Sequence, residues 1–310
     1  MSAKNEEEEL DADEMSRCAS CGIAENDDIK LRKCACYLAK YCGVKCQKEH
    51  RPKHKRECKK RVAELRDELL FKQPESSQFG DCPICCLPIP IPKSQDTVRS
   101  TRYSCCSKVV CDGCVYANDL REKEGRLPPT CPFCRHPTPK TEEERLLLKM
   151  KRVEAKDPGA MNSEGLRHYK AGNHARAIEY WEKAAGLGDI EAHYHLSNAY
   201  DGGAHGVESD MKKFTNHAEQ AAIGGHTMAR YNLAVKECQK GNIERGVKHW
   251  VIAANLGCDF SIKELKEEYA RGVIIKEKYA TALRAYQVAV NASKSAQRDA
   301  AHAARMRMMS

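Results

Sequence analysis

Sixteen of the 18 cysteines in this 310-residue chain fall between Cys18 and Cys134, and only Cys238 and Cys258 lie beyond. Thiols grouped this closely either form disulfides in an oxidising compartment or, as thiolates, hold metal ions in a reducing one. The opening run "MSAKNEEEEL" is acidic and lacks the apolar stretch of a secretory signal. No segment approaches the roughly 20 apolar residues that cross a bilayer. The expectation is an intracellular protein, cytoplasmic or nuclear and not membrane-bound, whose cysteines are metal ligands.

The first ligand string reads Cys18-x2-Cys21-x12-Cys34-x-Cys36-x5-Cys42-x3-Cys46-x7-His54-x3-Cys58. Eight ligands make two tetrahedral sites, and thiolate with imidazole is a zinc donor set. Within it, "YCGVKCQKEHRPKHKREC" (41–58) packs six Lys and Arg around three cysteines and two histidines. The same stretch could therefore be a basic nucleic-acid patch. His54 has the x3 spacing to Cys58 that His50 lacks. The string resembles the MYND zinc finger. That resemblance implies interleaved sites, with Cys18, Cys21, Cys42 and Cys46 on one ion and Cys34, Cys36, His54 and Cys58 on the other. Sites of formal charge −2 and −1 then account for the surrounding cations. The resemblance also implies a peptide-binding role. Two departures stand out. One residue separates Cys34 from Cys36 where the family has two, which leaves open whether the second site is complete. Arg51 follows His50 where the family often places Trp.

A second cluster follows: "CPIC" (82–85), "CCSKVVCDGC" (105–114) and "CPFC" (131–134). It resembles the RING finger, whose cross-braced topology implies one site from Cys82, Cys85, Cys111 and Cys114. The other would take Cys131 and Cys134 with ligands from the middle of the cluster. The family's positions there fall on Cys106 and Lys108, and a protonated lysine cannot ligate zinc. Cys105 is the substitute, although the adjacency of Cys105 and Cys106 leaves open which of them ligate; Cys86 is surplus. The resemblance further implies a docking surface for a ubiquitin-conjugating enzyme at Ile84, Pro132 and Phe133, with Arg135 acting on the loaded conjugate. The alternative is that Ile84 and Phe133 merely cover the zinc sites.

The formal charge is +8. Binding about four zinc ions through fifteen thiolates and one imidazole lowers this to about +1, because ligation deprotonates the thiols. The blunt charge argument for a nucleic-acid partner therefore fails.

Elements must hold these ligands in place. Residues 1–15 read as an acidic disordered tail, and 16–60 as the first finger. In 61–78, Val62, Leu65, Leu69 and Leu70 are at helical spacing, giving a linker helix ended by Pro74. The second finger occupies 79–140. A second linker helix, 141–156, opens with Thr141 and Glu144 as a capping box and stops before Asp157-Pro158.

From 157 to 293 the chain is Ala-rich and repetitive. "AIEYWEKAAGLGD" (177–189), "FTNHAEQAAIGGH" (214–226) and "GVKHWVIAANLGC" (246–258) share an Ala-Ala pair followed by Gly. "AHYHLSNAY" from Ala192 and "ARYNLAVKE" from Ala229 mark the partner helices, with weaker copies from Ala160 and Ser261. These segments resemble Sel-like repeats, relatives of the tetratricopeptide family, in about four units. That implies a superhelix binding protein clients. Residues 294–310 remain as a C-terminal tail. The fold expected is multidomain: two small cross-braced zinc modules followed by an all-α solenoid.

There is no Gly-rich phosphate loop or zincin helix, and the chain has no room for the methyltransferase domain that MYND fingers accompany elsewhere. The leading expectation is a zinc-binding adaptor, with repeats choosing the client and the RING-like finger recruiting the conjugating enzyme. A non-enzymatic scaffold is the alternative. Nucleic-acid association through Lys48–Arg61 is the third reading.

Overall fold

The computed structural model describes residues 17–92, 100–202 and 207–309. The acidic segment 1–15 and part of the Gly-rich stretch "DGGAHGVESD" (201–210) lie outside these. The chain divides into two compact units, 1–72 and 73–310.

In the first unit, β1 (Arg32–Lys33) pairs antiparallel with β2 (Lys40–Tyr41), Arg32 opposite Tyr41, and α1 (Val44–Leu70) follows. Its core is Cys18, Leu31, Cys34, Cys36, Ala39 and Tyr41. Three of those six residues are cysteines, too little apolar volume to fold so short a module without a metal. The linker helix expected at 61–78 is not a separate element. It is the second half of α1, which runs unbroken from the residues carrying Cys46, His54 and Cys58.

In the second unit, β3 (Ser100–Arg102) pairs antiparallel with β4 (Val109–Cys111), followed by α2 (Asp112–Glu124). Cys82, Ile89, Val110, Cys111 and Cys114 form the small core beneath. Next comes α3 (Glu142–Glu154). Thr141 caps it, its hydroxyl accepting from the Glu144 N–H at 3.1 Å, while the Glu144 carboxylate reaches back to the Lys140 N–H at 2.7 Å.

Eight helices then form four hairpins: α4 (Pro158–Lys170) with α5 (His174–Gly186), α6 (Ile190–Tyr200) with α7 (Met211–Ile223), α8 (Thr227–Gln239) with α9 (Ile243–Asn255), and α10 (Asp259–Ala270) with α11 (Lys276–Ala292). Each hairpin also packs on the next, through α5–α6, α7–α8 and α9–α10. The first three hairpins begin alike. The side chains of Asp157, Asp189 and His226 accept from the N–H groups of Ala160, Ala192 and Ala229, three residues on. Cys258, at the same place in the fourth, makes no such cap. The paired alanines Ala184-Ala185, Ala221-Ala222 and Ala253-Ala254 are all buried where helices approach. Gly188, Gly225 and Gly257 follow with φ of 86°, 87° and 91°, the left-handed turn that ends each second helix. Gly225 is needed twice, because a Cβ there would also lie 2.2 Å from the Ser76 carbonyl oxygen.

The segment after α1 runs against these turns. The Gln78 N–H donates to the Gly225 carbonyl (3.2 Å) and its side chain accepts from the Thr227 N–H (3.3 Å). Residues 294–310, expected as a tail, instead form α12 (Ala296–Met309), which packs on α2. Its burial centres on Arg298 and Ala301, so the helix carries no apolar stripe that periodicity could detect.

Candidate metal centres

One backbone hairpin recurs at four of the eight ligand pairs. At Cys18, Cys82, Tyr103 and Cys131, the N–H of residue n donates to the carbonyl of n+5, and the N–H of n+4 donates to the carbonyl of n, at 2.8–3.0 Å. Closing this turn puts residue n+4 in the left-handed region: Gly22 (φ 74°), Cys86 (54°), Ser107 (57°) and Arg135 (62°). Thiols at n and n+3 then meet, as in Cys18/Cys21, Cys82/Cys85 and Cys131/Cys134. The Tyr103 turn begins without a cysteine, and its thiols stand at n+2 and n+3, which are Cys105 and Cys106. Cys34 makes a shortened version. It still bonds to the n+5 carbonyl of Ala39 at 2.8 Å, but the left-handed residue is Tyr37 (φ 60°) at n+3. Moving that residue by one absorbs the missing spacer between Cys34 and Cys36.

Four groups of ligand atoms result, each within 4.8 Å: Cys18, Cys21, Cys42 and Cys46; Cys34, Cys36, His54 and Cys58; Cys82, Cys85, Cys111 and Cys114; and Cys105, Cys106, Cys131 and Cys134. The groups alternate along each string, which is a cross-braced topology. Both Cys105 and Cys106 enter the fourth group, whereas Lys108 lies over the Phe133 ring, 5.9 Å from its centroid. Cys86 is exposed and belongs to none.

A tetrahedron of sulfurs about 2.3 Å from a zinc ion has edges of about 3.8 Å. The sulfur pairs measure 3.6 Å (Cys21–Cys42), 3.5 Å (Cys42–Cys46 and Cys34–Cys58), 3.7 Å (Cys85–Cys111), 3.4 Å (Cys105–Cys134) and 3.9 Å (Cys106–Cys131). His54 Nε2 lies 3.0 Å from Cys36 Sγ. His50 instead bonds Tyr41 Oη through Nδ1 at 2.9 Å and stacks on His54. Sulfur and imidazole donors at tetrahedral spacing fit zinc, and the sites take about four ions. With four protein ligands each, they leave no coordination position for catalysis.

Backbone amides prepare each group for a cation. Burial disfavours the Cys18 thiolate, yet the N–H groups of Cys21, Cys42 and Ser20 outweigh it and bring the pKa to about 6. Cys82 falls to about 7 in the same way, its burial overcome by the N–H groups of Cys111, Cys85 and Ile84. Cys34 and Cys134 are also lowered against burial, by the N–H groups of Cys36 and His136. Their neighbours go the other way. Thiol hydrogen bonds from Cys46 and Cys21 push Cys42 up to about 12, and burial with bonds to Cys34 and Cys36 does the same to Cys58. Each group thus has one thiol whose pKa is lowered, and the protons leave when a divalent cation compensates the charge.

Residues 15–58 match the family model of the MYND finger. This part of the chain is a MYND finger. No curated protein matches the chain. Solved structures resemble it, two of them as follows. One is c5321, a protective antigen present in uropathogenic Escherichia coli strains displaying an SLR fold, at 17% identity over 56% of this chain and TM-score 0.43. The other is a Sel1 repeat protein from Oxalobacter formigenes, at 20% identity over 58% of this chain and TM-score 0.42. The likeness spans 37% of the first of those chains and 74% of the second.

Beyond the MYND finger, the residues expected to dock a partner differ in setting. Ile84 and Phe133, one inside each ligand pair, are both 41% exposed. Pro132 is buried and offers no surface to a partner. Arg135 Nη1 donates to Asn118 Oδ1 at 2.7 Å, and the buried Asn118 is itself held through Nδ2 by Glu122 Oε1 at 2.9 Å. Sequence reasoning missed Asn118, Tyr103 and Arg298. Tyr103 carries no ligand signal, and the other two act through contacts distant in sequence. Among the described residues, no helix is long and apolar enough to cross a membrane.

Proposed function

We propose that this chain is a zinc-dependent protein-interaction adaptor whose second finger works as a RING-type ubiquitin ligase module. The hairpins of 157–293 hold the client, and residues 79–140 recruit a ubiquitin-conjugating enzyme through Ile84 and Phe133. Arg135, fixed by Asn118, contacts the loaded conjugate. Such a module does no covalent chemistry itself. It accelerates transfer by restricting the conjugate's geometry. The MYND finger is a further protein-binding module.

The observation that carries this reading is the exposure of Ile84 and Phe133. Apolar residues inside zinc-ligand pairs that only sealed the metal would be covered, and these two present their side chains to solvent. A specific client contact needs on the order of 800 Å² per partner, which stacked hairpins offer and a finger of some sixty residues hardly can.

The test is titration of the zinc-loaded protein with a panel of conjugating enzymes. Burying Ile84 on docking is worth roughly 1.5–3 kcal/mol, so Ile84→Ala should weaken binding about ten- to a hundredfold with zinc content unchanged. If no enzyme binds, or the variant binds like wild type, the finger is a structural part of a scaffold.

A further inference from the structure

The third ligand group has a neighbour from the far end of the chain. Arg298, on α12, is 9% exposed, and its guanidinium faces the first ligand pair of the second finger. Nη2 lies 3.3 Å from Cys85 Sγ and donates to the Leu87 carbonyl at 3.1 Å. Nη1 donates to the carbonyls of Pro88 and Ser293, both at 2.6 Å. The helix is seated by two more contacts: Gln297 Nε2 donates to the Gly113 carbonyl at 3.0 Å, and Arg305 pairs with Asp112 at 3.4 Å. Gly113 makes the approach possible. A Cβ there would stand 2.8 Å from Arg298 Cγ and 3.0 Å from its backbone nitrogen.

All these partners except Ser293 lie beside ligands in the sequence. Leu87 and Pro88 follow Cys85, and Asp112 and Gly113 stand between Cys111 and Cys114. Four thiolates around one divalent ion carry a formal charge of −2, and in this group Cys82, Cys111 and Cys114 are buried. A guanidinium against one of the sulfurs offsets part of that charge where water cannot. It also donates to the two carbonyls that follow the ligand turn. Arginine suits this role better than lysine because its planar fork serves sulfur and carbonyl acceptors together.

We propose that Arg298 is a positioning residue for the third zinc site, so that its guanidinium, more than the other contacts of the C-terminal helix, determines how tightly that ion is held. Partners outside the ligand set commonly change metal affinity by about ten- to a hundredfold. The inference does not depend on ligase activity, because its readout is the metal.

The experiment follows zinc release from the full-length, zinc-loaded protein to a chromogenic chelator, with alkylation of cysteines mapped by mass spectrometry. In Arg298→Met, one of the four ions should leave at least about tenfold faster. Cys82, Cys85, Cys111 and Cys114 should become alkylated together while the other groups keep their wild-type rates. Arg298→Lys, which keeps the charge, should recover part of the difference. Arg305→Ala removes a half-exposed contact further along the helix and leaves the Gln297 and Arg298 contacts in place, so it should release zinc close to the wild-type rate. The proposal is overturned if Arg298→Met releases all four ions as wild type does or accelerates all of them equally. It is equally overturned if Arg298→Lys behaves like Arg298→Met, or if Arg305→Ala does.

Discussion

At the scale of the residue, the spacing of cysteines determines more than their number. Ligands three apart, as in Cys82/Cys85 and Cys131/Cys134, were legible because the turn that joins them demands that spacing. Cys105 beside Cys106 was not decidable from the sequence, since the turn that presents them begins at Tyr103, which ligates nothing. Cys105→Ser should therefore lower zinc content by about one ion and expose Cys131 and Cys134 to alkylation, whereas Cys86→Ser should leave zinc unchanged. Elemental analysis of the two variants decides. Cys86 stands where the turn requires a left-handed residue, at φ 54°. Glycine has no steric penalty there, so Cys86→Gly should gain about 1 kcal/mol or less, read from chemical denaturation. A loss of stability would mean that the Cys86 side chain makes a contact of value.

At the scale of the element, the repeats show why single residues mislead and pairs inform. Aligned positions in α5, α7 and α9 carry Ala177 with Trp181, Phe214 with Ala218, and Gly246 with Trp250, all buried. Small with large becomes large with small in the middle hairpin, so volume is conserved while the apparent motif changes. Trp181 packs edge-on against α4 at Gly165, where a Cβ would lie 2.6 Å from its Cδ1 and Nε1. Gly165→Ala should destabilise the second unit by about 1–3 kcal/mol, the usual cost of overpacking a rigid ring. Acid adds a further signature. His195 stacks on Trp181 and burial holds its pKa down to about 4, with Glu191 opposing. Below about pH 6.5 the unfolded chain takes up this proton and the folded one does not, so the ring costs stability as pH falls toward 4. Asp189, raised to about 6 by burial, acts with the opposite sign. Comparing His195→Phe with wild type isolates the histidine. The variant's advantage in Tm should grow between about pH 7.5 and 5.5, and a constant difference would remove the claim. The repeat hairpins were legible because their caps and Ala-Ala-Gly endings recur. Helix α12 was not, because its contact face rests on a buried arginine.

At the scale of the whole molecule, much of the formal charge of +8 offsets thiolates that the metal creates. Elemental analysis should find close to four zinc ions per chain. Chelation should unfold both fingers while most of the helical circular dichroism, carried by α4–α11, persists. Two ions or fewer would remove one finger from the account. The metal framework was open to sequence reasoning because ligand chemistry is local. The residues of the proposed docking surface could be named from the sequence but not their setting, because the exposure of Ile84 and Phe133 and the burial of Pro132 depend on how the two ligand turns fold. The claim that rests on that surface is met most directly by single-turnover discharge of ubiquitin from a loaded conjugating enzyme. Wild type should accelerate discharge with at least one enzyme. Ile84→Ala should lose the effect through weaker docking, and Arg135→Ala should dock normally but discharge slowly. No acceleration with any enzyme, or acceleration that both variants retain in full, would contradict the account.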